Sequence, residues 1–119
     1  MRICALIVMM LPVFPVGAQD DDCSERDREA YLHDVVQAVS AAWKVPYTNR
    51  TLSCSLLIKQ NFRGEVLNVG IARCGDDPNV HKSVIDAGYE ASPLPLPGKK
   101  ACFSRDIIIS LSSRTQDAG

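Results

Sequence analysis

The 119-residue chain has almost no net charge, no long unbroken apolar run, no closely spaced cysteine pair and no paired histidines. Each absence removes a class of function. With 13 Lys and Arg against 14 Asp and Glu there is neither a basic footprint for nucleic acid nor a strongly acidic tail. A membrane-spanning helix needs about 20 apolar residues, and the opening apolar stretch, residues 3–16, is shorter and is broken by Pro12 and Pro15. Closed zinc sites normally use short-spaced ligand pairs such as Cys-x-x-Cys, which this chain does not contain. His33, His81, Ser83, Asp86 and the carboxylates Asp76, Asp77 and Glu90 form no recognisable set of nucleophile, base and orienter. Helix capping and solvated helix faces account for them. Asp76-Asp77-Pro78-Asn79 is not a calcium loop, because the proline and the missing downstream glutamate break the pattern. The expectation is a protein with no enzymatic activity, no metal and no cofactor.

The opening residues are informative. Met1 and Arg2 precede the apolar stretch, which closes on the small triplet Val16-Gly17-Ala18 before Gln19 and an acidic run. This is the layout of a cleavable signal peptide covering residues 1–18. It predicts export with no stable membrane anchor after cleavage. Lipidation is not expected, since Cys23 follows Asp20-Asp21-Asp22 and Cys4 lies too early. Of five cysteines, removal of the leader takes Cys4 and leaves an even set, Cys23, Cys54, Cys74 and Cys102. In an oxidising compartment that set predicts two disulfides, with three pairings open. The remaining length of roughly a hundred residues is that of one domain.

Along residues 24–43, Leu32, Val35, Val36, Val39 and Trp43 recur at helical spacing with Arg26, Arg28, Asp34 and Gln37 between them. They predict an amphipathic helix capped near Ser24 and ended before Pro46. Residues 52–60 alternate apolar and polar, as do residues 66–73, and Asn61-Phe62-Arg63-Gly64 separates them, which predicts a hairpin whose glycine supplies a positive φ. Asp77 followed by Pro78 marks a helix start, and Val80, Val84, Ala87 and Ala91 its buried stripe, with Gly88 allowing close approach. Ser92-Pro93-Leu94-Pro95-Leu96-Pro97-Gly98 reads as an extended, polyproline-like connector. A final strand is expected over residues 103–111, carrying Ile107, Ile108 and Ile109, followed by a loose polar tail. The order α-β-β-α-β implies an α+β fold with a three-stranded antiparallel sheet and both helices packed on one face.

Several of these pieces, taken in order, resemble a known family. Tyr31, the helix ending at Trp43 with Pro46 following, Cys54 on the first strand, Gly64-Glu65-Val66, and Ala91-Ser92-Pro93-Leu94-Pro95 before a Phe-led last strand are similar to the C-terminal periplasmic domain of TolA, of the TonB/TolA C-terminal domain family. The likeness covers about residues 31–112. It leaves residues 19–30 as an acidic lead-in with the helix start and residues 113–119 as a flexible tail. What the resemblance implies is a periplasmic module of the Tol-Pal system in the envelope of a Gram-negative bacterium, retained there or secreted. TolA binds TolB, and filamentous-phage coat proteins and colicins capture the same domain. Partners of this chain are therefore expected to be proteins: TolB-like, phage or bacteriocin. The chain departs from the family in having no retained transmembrane helix or helical stalk to transmit force, and in reading Leu111-Ser112-Ser113 where many relatives carry an aromatic and a proline.

The resemblance also implies residue roles. Arg105, Asp106, Ile107, Ile108, Ile109 and Ser110 are expected to form an edge strand that takes up a partner strand through its main chain, with the inward-facing isoleucines in the core. Trp43, Pro46, Pro93 and Pro95 are expected to be structural. A Cys54–Cys74 bridge resembles a cysteine pair of some TolA relatives, which leaves Cys23 with Cys102, both outside the family pattern. If Leu67, Val69 and Ile71 face inward with Cys54, Cys74 falls on the opposite phase, so it must lie past the strand end or beyond a bulge. The alternative function is a structural or inhibitory component of an envelope or secretion machine that keeps only the fold.

Overall fold

The computed structural model describes residues 22–46 and 51–113. The expected signal peptide, most of the acidic lead-in, residues 47–50 and the chain beyond Ser113 lie outside the described residues. Among the described residues, no helix is long and apolar enough to cross a membrane.

The elements are α1 (Glu25–Ala42), β1 (Ser53–Gln60), β2 (Val66–Arg73), α2 (Pro78–Glu90), a single 3-10 turn (Lys100–Cys102) and β3 (Asp106–Ser112). Ser24 caps α1 by accepting from the Asp27 N–H, and Asp77 caps α2 by accepting from Asn79 N–H, with Pro78 in the first turn. The three strands form an antiparallel sheet in the order β2-β1-β3. Burial alternates along β1 and β3, so one face carries Leu56, Ile58, Ile107, Ile109 and Leu111 under both helices while the other is open to solvent. Helix α1 covers the face with Tyr31, Val35 and Val39, and α2 with Val80, Val84 and Ala87. Each valine, leucine or isoleucine among them contributes about 1.5–3 kcal/mol when fully buried.

Trp43, at the end of α1, is buried, and its Nε1 donates to Ser83 Oγ of α2 at 2.9 Å. Ser83 Oγ in turn donates to the Val80 carbonyl, so the indole nitrogen enters the core with its hydrogen bond made. Pro46 and Pro95 are half-buried and Pro93 is exposed, so Trp43 alone of the four expected structural residues lies in the core. What the prolines place there is Leu94, 2% exposed between them. The connector departs from a continuous extended run in one respect, a cis Ser92–Pro93 peptide.

The hairpin is bulged at both ends. The register moves by one residue between Lys59/Gln60 and again between Ser55/Leu56, leaving Leu67 and Ala72 as extra residues on β2. Leu67 is therefore exposed rather than inward-facing as its alternation suggested. The same device resolves the parity of Cys74, which lies beyond the Ala72 bulge and past the end of β2, on the phase needed to join Cys54. The second bridge joins Cys23 to Cys102. It requires Cys102 to turn inward, and the 3-10 turn that does so delays β3, so Phe103, Ser104 and Arg105 stand outside the strand expected to include them. Ser112 belongs to β3, and Ser113 is buried, exchanging hydrogen bonds with Leu52 through its N–H and Oγ.

Glycine matters at two positions. Gly64 has φ +83°, and a Cβ there would lie 2.4 Å from the Leu94 carbonyl oxygen. Its own carbonyl accepts the Leu94 N–H at 2.7 Å, so the hairpin tip and the connector touch backbone to backbone. Gly88 brings α2 onto β2, since a Cβ there would meet Val69 Cγ2 at 2.8 Å.

The start of α1 is tied to the approach to β3 twice: by the Cys23–Cys102 bridge and by Asp27, whose carboxylate lies 3.1 Å from Lys99 Nζ. The Lys99 hydrogen bond, with help from Ser24, holds the Asp27 carboxyl below its ordinary value.

Three outcomes follow for stability. Gly64→Ala should lower the unfolding free energy in urea by about 2 kcal/mol or more, from the left-handed backbone and the Leu94 contact together. Gly70→Ala, whose added methyl meets nothing closer than 4.0 Å, should cost far less. Removing the Cys23–Cys102 bridge, which spans 79 positions, by paired serine substitution should cost about 4 kcal/mol in the chain-entropy account. Because the Asp27 pKa is lowered by folding, its stabilisation is present above the ordinary carboxylate value and is lost as pH falls through the lowered one. Wild type should therefore melt above Asp27→Asn at neutral pH, and thermal denaturation should show the gap closing as pH falls below the ordinary carboxylate range.

Candidate protein-binding edge

A three-stranded sheet in the order β2-β1-β3 has two borders, and they differ. On the β2 side the line is broken by bulges at Leu67 and Ala72. The Val69 N–H donates to Tyr89 Oη at 3.3 Å and the Val66 N–H to Ser92 Oγ at 2.9 Å. Bulges and side-chain caps of this kind blunt an edge against further pairing.

On the β3 side the register with β1 is continuous from Ser53↔Ser112 to Lys59↔Asp106. The Gln60 N–H donates to the Arg105 carbonyl and the Ser113 N–H to that of Leu52, which fixes the phase of the ladder: residues 105, 107, 109, 111 and 113 bond β1. Asp106, Ile108 and Ser110 therefore turn their N–H and C=O groups away from the sheet. The Asp106 carbonyl accepts from Ser104 Oγ at 2.8 Å. No described residue hydrogen-bonds the main chain of Ile108 or Ser110 from the open side.

The side chains of the predicted edge residues separate accordingly. Ile107 and Ile109 are core, 5% and 3% exposed, whereas Ile108 is 62% exposed and stands opposite Leu57 on the open face of the sheet. Ser110 Oγ lies 3.3 Å from Ser55 Oγ, and Asp106 lies 3.4 Å from Lys59 Nζ. Both partners of that ion pair are more than half exposed, so it contributes little. Arg105 precedes the strand, and its guanidinium sits 5.5 Å from the Phe62 ring centroid. A proline at position 108 would delete an outward N–H and leave the bonds to β1 in place.

Beside the β3 border runs a groove of about 250 Å³, walled by Arg28, Tyr31 and Leu32 of α1 and by Ile107 and Ile108. Tyr31 is fixed by Gln60, whose Nε2 donates to Tyr31 Oη at 2.8 Å and to the Ser104 carbonyl at 2.7 Å. Burial raises the Tyr31 pKa, so the phenol stays neutral. The sequence marked neither the groove wall on α1 nor the buried Gln60, because a strand's neighbours across space leave no local pattern.

Four of the residues considered for catalysis make structural contacts. Ser83 Oγ bonds Trp43 and Val80, Asp86 pairs with Lys82 at 2.7 Å, His81 Nε2 contacts the Gly75 carbonyl, and Asp77 caps α2. Among the described residues no group of His, Cys, Asp or Glu is arranged to hold a metal ion.

No family model and no curated protein matches the chain. Among solved structures, it is similar to the solution structure of TolAIII bound to a peptide derived from the N-terminus of TolB, with a TM-score of 0.60 and 22% identity over 70% of this chain and 72% of that one. That likeness establishes a TolA domain III-like α+β fold, shared with a domain whose structure was determined with a peptide partner.

Proposed function

We propose that the chain is an exported, non-enzymatic protein-binding module that receives an extended segment of its partner along β3, adding a fourth strand to the sheet. The observation that carries this reading is the regular β3 border, where the main-chain groups of Ile108 and Ser110 turn outward beside the α1 groove with no described residue bonded to them. An incoming strand makes main-chain bonds there and alternates its side chains between that groove and the open face beside Ile108. The fold shared with TolAIII, which takes a TolB peptide, supports a TolB-like segment as partner, with phage coat proteins and colicins as other candidates, and periplasmic operation of the module. The two disulfides fit an oxidising compartment.

The test is calorimetric titration with a peptide from the N-terminus of TolB. Ile108→Pro should weaken binding by at least about tenfold, through the lost N–H bond and the ring's bulk at the border. Its melting temperature should stay near wild type. Unchanged affinity in a folded Ile108→Pro variant rejects strand addition at β3. Wild type that binds no such peptide, with the edge intact, favours the component of an envelope or secretion machine that keeps only the fold.

A further inference from the structure

Beyond the hairpin tip the chain builds a second surface, separate from the β3 border. Phe62, at the β1–β2 turn, is 71% exposed and packs on Phe103 with ring centroids 5.3 Å apart. Leu96, 50% exposed on the proline connector, completes with Pro97 and Lys100 an open recess of about 600 Å³. The recess is held by backbone: the Leu94 N–H to Gly64 carbonyl bond fastens the connector to the hairpin tip, and the turn at Lys100–Cys102 is covalently anchored through Cys23.

Its charge is one-sided. Lys100 lies on the rim, and Arg105 stands over Phe62. The carboxylates nearby serve other cations: Asp27 pairs with Lys99, Glu65 with Arg63 and Asp106 with Lys59. Lys100 and Arg105 have no carboxylate within ion-pair distance among the described residues. An apolar floor large enough for one or two bulky side chains, flanked by two uncompensated cations, selects for acidic and apolar character in the same short segment. The cation over the Phe62 ring also keeps a guanidinium pre-placed for a carboxylate.

We propose that this recess is a docking site for an acidic peptide segment of a partner protein that carries a bulky apolar side chain next to its carboxylates, bound independently of strand addition at β3. The apolar side chain packs on Phe62, Leu96 and Phe103, and the carboxylates meet Arg105 and Lys100.

The experiment is an NMR titration of the isotope-labelled chain with two synthetic twelve-residue peptides, one alternating Asp or Glu with Phe or Leu, the other its twin with Lys in place of every acidic residue. The acidic peptide should shift Phe62, Leu96 and Phe103, with affinity falling at least about fivefold between 50 and 300 mM salt, as for contacts between exposed charges. Arg105→Gln and Lys100→Gln should each weaken it about threefold or more, and Phe62→Ala should abolish it, with circular dichroism unchanged because the side chain is solvent-facing. Ile108→Pro should leave it unaltered, which separates this site from the edge. Equal affinity for the two peptides, absence of binding, or shifts centred on residues 106–110 would overturn the proposal. So would two other results in the free chain: concentration-dependent shifts at Phe62, which make a second copy the occupant, or shifts at Phe103 on replacing Asp20, Asp21 and Asp22 by Asn, which assign the recess to the chain's own acidic run.

Discussion

The uninterrupted pairing of β3 with β1 is the constraint on which the rest of the structure depends. With no bulge between Lys59↔Asp106 and Ser53↔Ser112, one phase holds along the whole ladder. Ile107, Ile109 and Leu111 fall under the helices and Ile108 and Ser110 outside, while the main-chain groups of those same outward residues face the border. A single inserted residue would exchange the two sets and place Ile108 in the core. The other border tolerates such insertions, at Leu67 and Ala72, because Cys54–Cys74, Tyr89 and Ser92 hold β2 by other means. The two sides of one small sheet have thus been given opposite treatment.

Much of the architecture was legible before any coordinates. Ser24 and Asp77 carry the capping side chains, Pro46 and the connector prolines stop the helices, and the alternation over residues 66–73 coincides with β2. What could not be read are features decided by contacts distant in sequence. Leu67 obeys strand alternation on paper and is displaced by a bulge; Phe103 reads as the first strand residue and is held back by the 3-10 turn that aims Cys102 at Cys23. Ser113, read as tail, is buried because Leu52 presents it with both a donor and an acceptor. Pro93 is exposed, while its neighbour Leu94 is buried.

The candidate site divides along the same line. That an isoleucine-rich last strand would carry recognition was an expectation of family likeness, and the side-chain pattern allowed it. That β3 lies at a border at all depends on strand order, which no local pattern encodes. The Arg28–Leu32 wall of the groove depends on where α1 crosses the sheet, and that crossing is held by Cys23–Cys102 and Asp27–Lys99, two ties between segments more than seventy residues apart. The TolAIII-like fold therefore comes here with covalent reinforcement at the start of α1.

A strand border as regular as this one does not discriminate between guests by its main chain alone. Any extended chain in the neighbourhood can template on it, including a misfolding copy of the same protein, and the 62% exposed Ile108 adds an adhesive side chain in the middle of the line. The remaining safeguards against aggregation are modest: a run of only seven residues, one aspartate at its beginning and a serine on either side of Leu111. A strand seated on this border would cover Ile108 and with it that adhesive surface.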